Sequence, residues 1–403
     1  GVVWLFALGV VRRMGDGWGV LAWIVVVALA MRIAAFGIGH GGDLNRAMAE
    51  GLQVAQGVNP YSAAPVSPLL SWLPLFDQLP GASETSQSGP VALLWNGLVG
   101  SLHHHGALNA FKVTNLLVEL AALFLLVALL GRWRLPRALV LAAAWNPVLV
   151  VFVVGEGAGV PIALLLTMWS LYLLSGAHRG RALFIGSLAT LAHPIAAPVA
   201  LAQLPGRGWR ALALPLLALA AATVPFITAG AGVLGMMAPF SLEAPFGGAL
   251  APVVQWSLSG VFADPTDLRL AMAVVLAATW LLASAVILWR HLRRDVADDT
   301  PANAELMLRL LAVLLICLPT VHPWMFAVMA LLLPFTRSWG FALWTATACA
   351  WWLHGLASVG GLVEQPLVTA LVHLPALIVL GWEAVAGMAR DQQEGEPIPV
   401  RTR

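Results

Sequence analysis

From residue 18 to residue 386 the chain repeats one pattern, an apolar run followed by a short stretch carrying arginine, proline or glycine. Several runs exceed the roughly 18 apolar residues a helix needs to cross a bilayer, and nothing alternates in the manner of barrel strands. In hydrocarbon every backbone N–H and C=O must be satisfied within the segment, which leaves the helix as the available conformation. The sequence therefore predicts an all-α, polytopic transmembrane helix bundle of about 10–12 spans, including one short re-entrant helix pair. Composition agrees: 60% of the 403 residues are hydrophobic and 10% are charged, against about a quarter charged in a soluble domain. A net charge of +2 gives no nucleic-acid footprint. Cys317 and Cys349 lie in apolar segments and read as small packing residues, neither disulfide nor metal ligands. No cleavable signal peptide is evident, and with Gly1 in place of Met, residues 2–11 can be the tail of a lost helix.

The expected spans cover residues 18–36, 111–130, 138–154, 160–174, 211–228, 270–289, 305–318, 324–334, 340–357 and 366–386. They form a single domain with a first extracytoplasmic loop at 37–110, a second outer loop at 229–268 and a flexible cytoplasmic tail at 389–403. Arginines cluster after alternate spans and in the tail, at Arg12, Arg13, Arg132, Arg134, Arg137, Arg179, Arg181, Arg207, Arg210, Arg290, Arg293, Arg294, Arg337, Arg390, Arg401 and Arg403. Arg32, Arg46, Lys112 and Arg269 fall on the opposite side. The positive-inside rule then puts Asp43 outside.

Residues 182–205 sit between two basic loops, so both ends belong to the cytoplasmic side. The stretch reads as two short helices meeting at His193-Pro194, each of about eleven residues and about 16 Å. Non-helical backbone at that depth is tolerated where it is buried in protein or lines a wet cavity, so the apex is expected to face a site.

Residues 41–61 are the polar stretch around which chemistry is expected. Asp43 precedes Leu44, Ala47, Met48, Leu52 and Ala55, spaced as one face of an interfacial amphipathic helix. Asp43 reads either as an N-cap or as a general base for an acceptor hydroxyl at the lipid boundary. Arg46 can hold a phosphate, or pair with Asp43 or Glu50 at helical spacing. Asn59-Pro60-Tyr61 is a turn signal with an interfacial aromatic. Lys112 and Glu119 share a face of the second span; Lys112 is near enough to the interface to snorkel, and Glu119 points into the bundle as a polar contact or a substrate ligand. Glu156 sits in an outer turn, by default solvated. His193 and His322 precede prolines and either donate to a phosphate or pack. His103, His104 and His105 are consecutive, so on a helix they spread apart and hold no metal.

Taken in order, Asp43 with Arg46, Gly57-Val58-Asn59-Pro60-Tyr61 with Ala64-Pro65, Ser88-Gly89-Pro90, Trp145-Asn146-Pro147, Gly155-Glu156-Gly157, Pro225-Phe226 with Ala229-Gly230, and Thr320-Val321-His322-Pro323-Trp324 carry a resemblance. The chain resembles the GT-C superfamily of polytopic glycosyltransferases, in particular the bacterial branch that uses polyprenyl-phosphate mannose, over nearly its whole length. The resemblance implies a catalytic Asp in the first outer loop, which maps onto Asp43, and a donor lipid entering from the bilayer. Arg46, Tyr61, Lys112, Glu119, Glu156, His193 and His322 then form the candidate substrate-binding set, with no metal and no cofactor beyond the lipid-phosphate-sugar donor. It implies a bacterial cytoplasmic (inner) membrane protein, its site extracytoplasmic, whose partners are the polyprenyl-phosphate sugar, a glycan or glycolipid acceptor and the lipid bilayer.

The chain departs from the family pattern at Ala47, Ser88-Gly89-Pro90, Ala158-Gly159-Val160, His193 and Met325, where relatives carry more polar or aromatic groups. The leading expectation is transfer of a hexose, mannose first, from a polyprenyl phosphate to an extracytoplasmic glycan or glycolipid. The alternative is a non-catalytic relative that binds a lipid-linked sugar or acts as a scaffold. A transporter or flippase ranks last, because intramembrane charges are few and no repeated half is visible.

Overall fold

The computed structural model describes residues 1–13, 17–39, 42–65, 83–102, 108–204, 208–240, 242, 246–293, 300–353 and 365–395. His103, His104 and His105, much of the first outer loop and the end of the tail lie outside the described residues. In chain order the helices are α1 (Val2–Val11), α2 (Trp18–Phe36), α3 (Gly42–Ala55), α4 (Pro90–Leu102), α5 (Leu108–Arg132), α6 (Arg137–Ala144), α7 (Val148–Gly155), α8 (Pro161–Ser175) and α9 (Arg179–Ala192). They continue as α10 (Ala197–Leu201), α11 (Trp209–Gly235), α12 (Ala251–Ser259), α13 (Pro265–Leu292), α14 (Thr300–Cys317), α15 (Pro323–Phe335), α16 (Trp339–Thr347) and α17 (Gln365–Gly395). No strand occurs among the described residues; the nearest approach is a pair of isolated bridges from Phe246 and Gly247 to Thr320. The protein is an all-α, multi-pass membrane bundle.

Among the described residues five helices are long and apolar enough to cross a membrane: α2, α5, α11, α13 and residues Pro366–Ala386 of α17. The count reaches six if α6 and α7 together make one span, fewer than the expected 10–12. The runs expected at 160–174 and 324–334 form the short apolar helices α8 and α15, which open on Pro161 and Pro323 and fall below the roughly 18 residues a straight span needs. At the other end, α17 stays helical through Gly395, into the stretch expected as tail.

The run 138–154, expected as one span, is two helices bent by 56° at Trp145-Asn146-Pro147. Pro147 has no N–H to give, and the Val148 N–H turns to Asn146 Oδ1 at 3.0 Å, so the ladder through Ala144 is lost. The carbonyl this leaves at Ala144 accepts from Arg32 Nη1 at 2.8 Å. Arg32 also donates to Ala28 O at 3.1 Å and clasps the Glu119 carboxylate through Nε and Nη2. Arg32 and Glu119 are buried side chains. One guanidinium thus joins α2, α5 and the bend, and the buried charge is paired as a membrane interior requires.

Residues 182–205 do form two legs. Helix α9 ends at Ala192, His193 is extended (φ −152°, ψ 127°), and a 3-10 turn Pro194–Ala196 leads into α10. The second leg is shorter than the eleven-residue estimate because Pro198 and the turn take up its start. Both legs pack on each other, with α14 against the second.

The main core is largely apolar, with Leu311, Phe326, Leu331 and Trp344 fully buried. Helix α13 instead turns Leu270, Leu281, Leu282 and Trp289 outward, and α17 turns out Leu374, Ile378 and Trp382. Apolar surface on that scale is covered by lipid in a membrane bundle.

Candidate functional site

Helix α3 buries four of the five residues of the face its spacing predicts, Leu44, Ala47, Met48 and Leu52, while Ala55 at its end is exposed; Glu50 and Gln53 are buried as well. It is covered by α4 and α5 rather than left half-exposed. The α3–α4 approach depends on glycine: a Cβ on Gly51 would stand 2.4 Å from the Asn96 carbonyl oxygen. Small residues bring helices this close in membranes. Asp43 lies in the first turn, where a carboxylate suits the helix dipole. The helix already starts at Gly42, and the Asp43 side chain makes no cap hydrogen bond among the described residues, so the N-cap reading is not what the structure shows.

A cleft of about 400 Å³ opens beside this turn. Asp43 and Arg46 line it from α3, Ser88 and Gly89 from the loop before α4, His193 from the apex between α9 and α10, and His322 and Trp324 from the entry to α15. Four of the eight residues read from sequence therefore converge from three distant segments. Gly89 fixes one side, since a Cβ there would lie 2.2 Å from Leu191 O, next to the apex that carries His193.

The far wall is aromatic. Trp351 and Phe246 lie 4.7 Å apart at 33°, Phe246 and His322 5.4 Å apart at 30°, and His322 and Trp324 5.4 Å apart at 11°. His193 meets Trp324 edge-on, centroids 5.0 Å apart. These are the offset-stacked and T-shaped geometries aromatic quadrupoles favour. Burial holds the His322 imidazole below its ordinary pKa, and the Asp43 carboxylate opposes that shift. His193 Nδ1 accepts from the Ile195 N–H at 3.2 Å, so Nε2 is the nitrogen that carries the proton in the neutral ring.

Arg46 lines the cleft but is held by protein. Its Nε lies 3.0 Å from Glu50 Oε1, Nη2 donates to Thr85 O at 2.7 Å, and Nη1 stands 3.9 Å from the exposed Glu84 carboxylate. Glu50 also accepts from Ser88 Oγ at 2.7 Å, which ties α3 to the loop. Tyr61 is behind the wall: its hydroxyl donates to Ser88 O at 2.6 Å and its ring meets Phe226 edge-on. Burial pushes the Tyr61 phenol pKa up.

Lys112 and Glu119 are not among the lining residues. Lys112 does not snorkel; it is 1% exposed and donates to Phe36 O and Ile38 O, each at 2.9 Å. It closes the carbonyl end of α2 just upstream of Asp43, a task suited to a cation. Glu119 is occupied by Arg32. Glu156 sits half-buried in its turn, where Trp352 Nε1 donates to its Oε1 at 3.0 Å in an exposed hydrogen bond. Its carboxyl pKa is raised, chiefly by burial, with the nearby Asp43 charge adding to the effect.

Among the described residues no group of three or more His, Cys, Asp or Glu could hold a metal. Sequence reasoning missed Glu84, Gln87, Asn96 and Thr320 as lining residues, and Phe246 behind them. Asn96 had a signal, a polar residue within the apolar run of α4. Beyond the wall formed by Phe246, Gly247 and Pro319 lies a second, more apolar groove of about 380 Å³, which α12 and α17 also line. His373 faces it with a fixed tautomer: Trp344 Nε1 donates to Nδ1 at 3.1 Å, so Nε2 carries the proton to Gly247 O at 2.9 Å. Compared with protein-family models and with curated proteins, the chain matches none.

Proposed function

We propose that the chain is an integral-membrane glycosyltransferase of GT-C type. It transfers a hexose, with mannose as the first candidate, from a polyprenyl phosphate to a glycan or glycolipid on the extracytoplasmic face of a bacterial cytoplasmic membrane. The observation that carries the reading is the convergence of Asp43, Arg46, His193 and His322 on one cleft, at the end of a helix where the Asp43 carboxylate accepts no hydrogen bond among the described residues. Asp43 takes the proton of an acceptor hydroxyl, whose oxygen attacks the anomeric carbon as the bond to the phosphate oxygen breaks. The polyprenyl phosphate leaves with the bonding electron pair. Arg46 receives it at the rim by exchanging Glu84, a long contact to a 60% exposed carboxylate that costs little to give up.

The test is transfer in proteoliposomes from radiolabelled polyprenyl-phosphate mannose to extracted membrane glycans, wild type beside Asp43→Asn. Transfer by wild type and its loss in the folded variant supports the assignment; undiminished turnover by Asp43→Asn removes it. A second reading, a non-catalytic binder of lipid-linked sugar or a scaffold, draws on the pairing of Arg46 with Glu50 and Glu84. Donor binding without transfer by either protein would favour it.

A further inference from the structure

Inward of Arg46, the cleft is unlike an anion site. Its described lining residues include two carboxylates, Asp43 and Glu84, and one cation, Arg46, which already spans Glu50 and Glu84 at the rim. Away from Arg46, three rings, His193, His322 and Trp324, line the cleft among small and apolar residues. Trp324 is the last ring of a stack that begins at the buried Trp351, and it is only partly covered. The two imidazoles beside it each offer hydrogen-bonding nitrogens. A rigid aromatic face flanked by neutral donors and acceptors and one carboxylate is suited to a ring that has an apolar C–H face and hydroxyls at its edge.

We propose that Trp324, backed by His322 and Phe246 and flanked by His193, is the platform of a subsite for an uncharged pyranose ring, with Asp43 at its hydroxyl edge. The inference rests on reading this cleft as the substrate site, and it assigns the inner wall to a neutral sugar. Phosphate or uronate groups are excluded from that wall. Asp43 and Glu84 repel them, and desolvating an anion there has no cationic compensation.

The experiment uses the full chain in nanodiscs at low salt, with methyl α-D-mannopyranoside and methyl α-D-mannopyranosiduronate as probes, titrated by saturation-transfer NMR. The neutral glycoside is expected to bind, and the uronate to bind about tenfold more weakly. The gap should narrow in Asp43→Asn. Trp324→Ala should weaken the neutral glycoside about tenfold, and Trp324→Phe by no more than about threefold. Thermal unfolding of each variant checks that the fold is kept, and the wild-type comparison of the two probes stands whether or not Trp324→Ala folds. No binding of the neutral glycoside, equal or tighter binding of the uronate, or unchanged affinity in folded Trp324→Ala would each overturn the subsite. Asp43-dependent transfer without glycoside binding defeats this inference alone, whereas glycoside binding without transfer from any polyprenyl-phosphate donor defeats only the transferase reading.

Discussion

Replacing Glu119 with leucine should be among the most damaging single changes in the bundle. The carboxylate accepts from Arg32 Nε and Nη2, and the pair is 1% and 0% exposed. Glu119→Leu leaves a guanidinium buried with, among the described residues, the Ala28 and Ala144 carbonyls as its partners. Removing one member of a buried pair costs about 3–5 kcal/mol, because the other charge is stranded. The double variant Arg32→Met with Glu119→Leu strands no charge, and its remaining loss is the Ala144 carbonyl, about 1–3 kcal/mol. The double variant should therefore be more stable than Glu119→Leu alone, a strongly non-additive cycle. Equilibrium unfolding by SDS titration in mixed micelles measures all four corners. A Glu119→Leu cost below about 1 kcal/mol, or a double variant as costly as the two singles summed, would refute the role given to this pair.

Two further outcomes test how the site is held. Tyr61→Phe removes the 2.6 Å bond to Ser88 O and should cost about 0.5–1.5 kcal/mol in the same titration. It should also lower glycoside affinity, since Ser88 lines the cleft; unchanged binding would show that Tyr61 does not position that loop. Glu156 gives a pH signature: its folded pKa is raised above the ordinary 4.5, so its contribution to stability is full below that value and is lost as pH rises through the folded pKa. Glu156→Gln carries no such penalty, so its melting temperature relative to wild type should climb between about pH 4 and pH 7. A flat difference across that range would show that burial does not disfavour the charged carboxylate.

The sequence by itself determined the class of fold and the buried face of the helix that borders the cleft. Apolar runs closed by arginines admit only membrane helices, because backbone groups in hydrocarbon have no other partners. The spacing of Leu44, Met48 and Leu52 set the buried face of α3, and hence the end at which Asp43 stands. The turn at His193-Pro194 was legible for the same local reason, since proline cannot continue the preceding helix. What these have in common is that cause and effect lie within one or two helical turns.

Only tertiary structure decided which polar groups remain available. Lys112, Glu119 and Arg46 all read as potential ligands, yet their partners lie on other elements or are chosen by packing: the end of α2, Arg32, and the Glu50–Glu84 pair. Charge in an apolar segment announces that a partner exists, not whether it is substrate or protein. The aromatic wall was equally hidden. Phe246, His322 and Trp351 are far apart in the chain, and their stacking follows from the bridges that join Phe246 and Gly247 to Thr320. The bend at residues 145–147 could be suspected from Pro147, but not that Arg32 reaches across from α2 to take the Ala144 carbonyl. Contacts between distant segments set that geometry, and no local pattern encodes them.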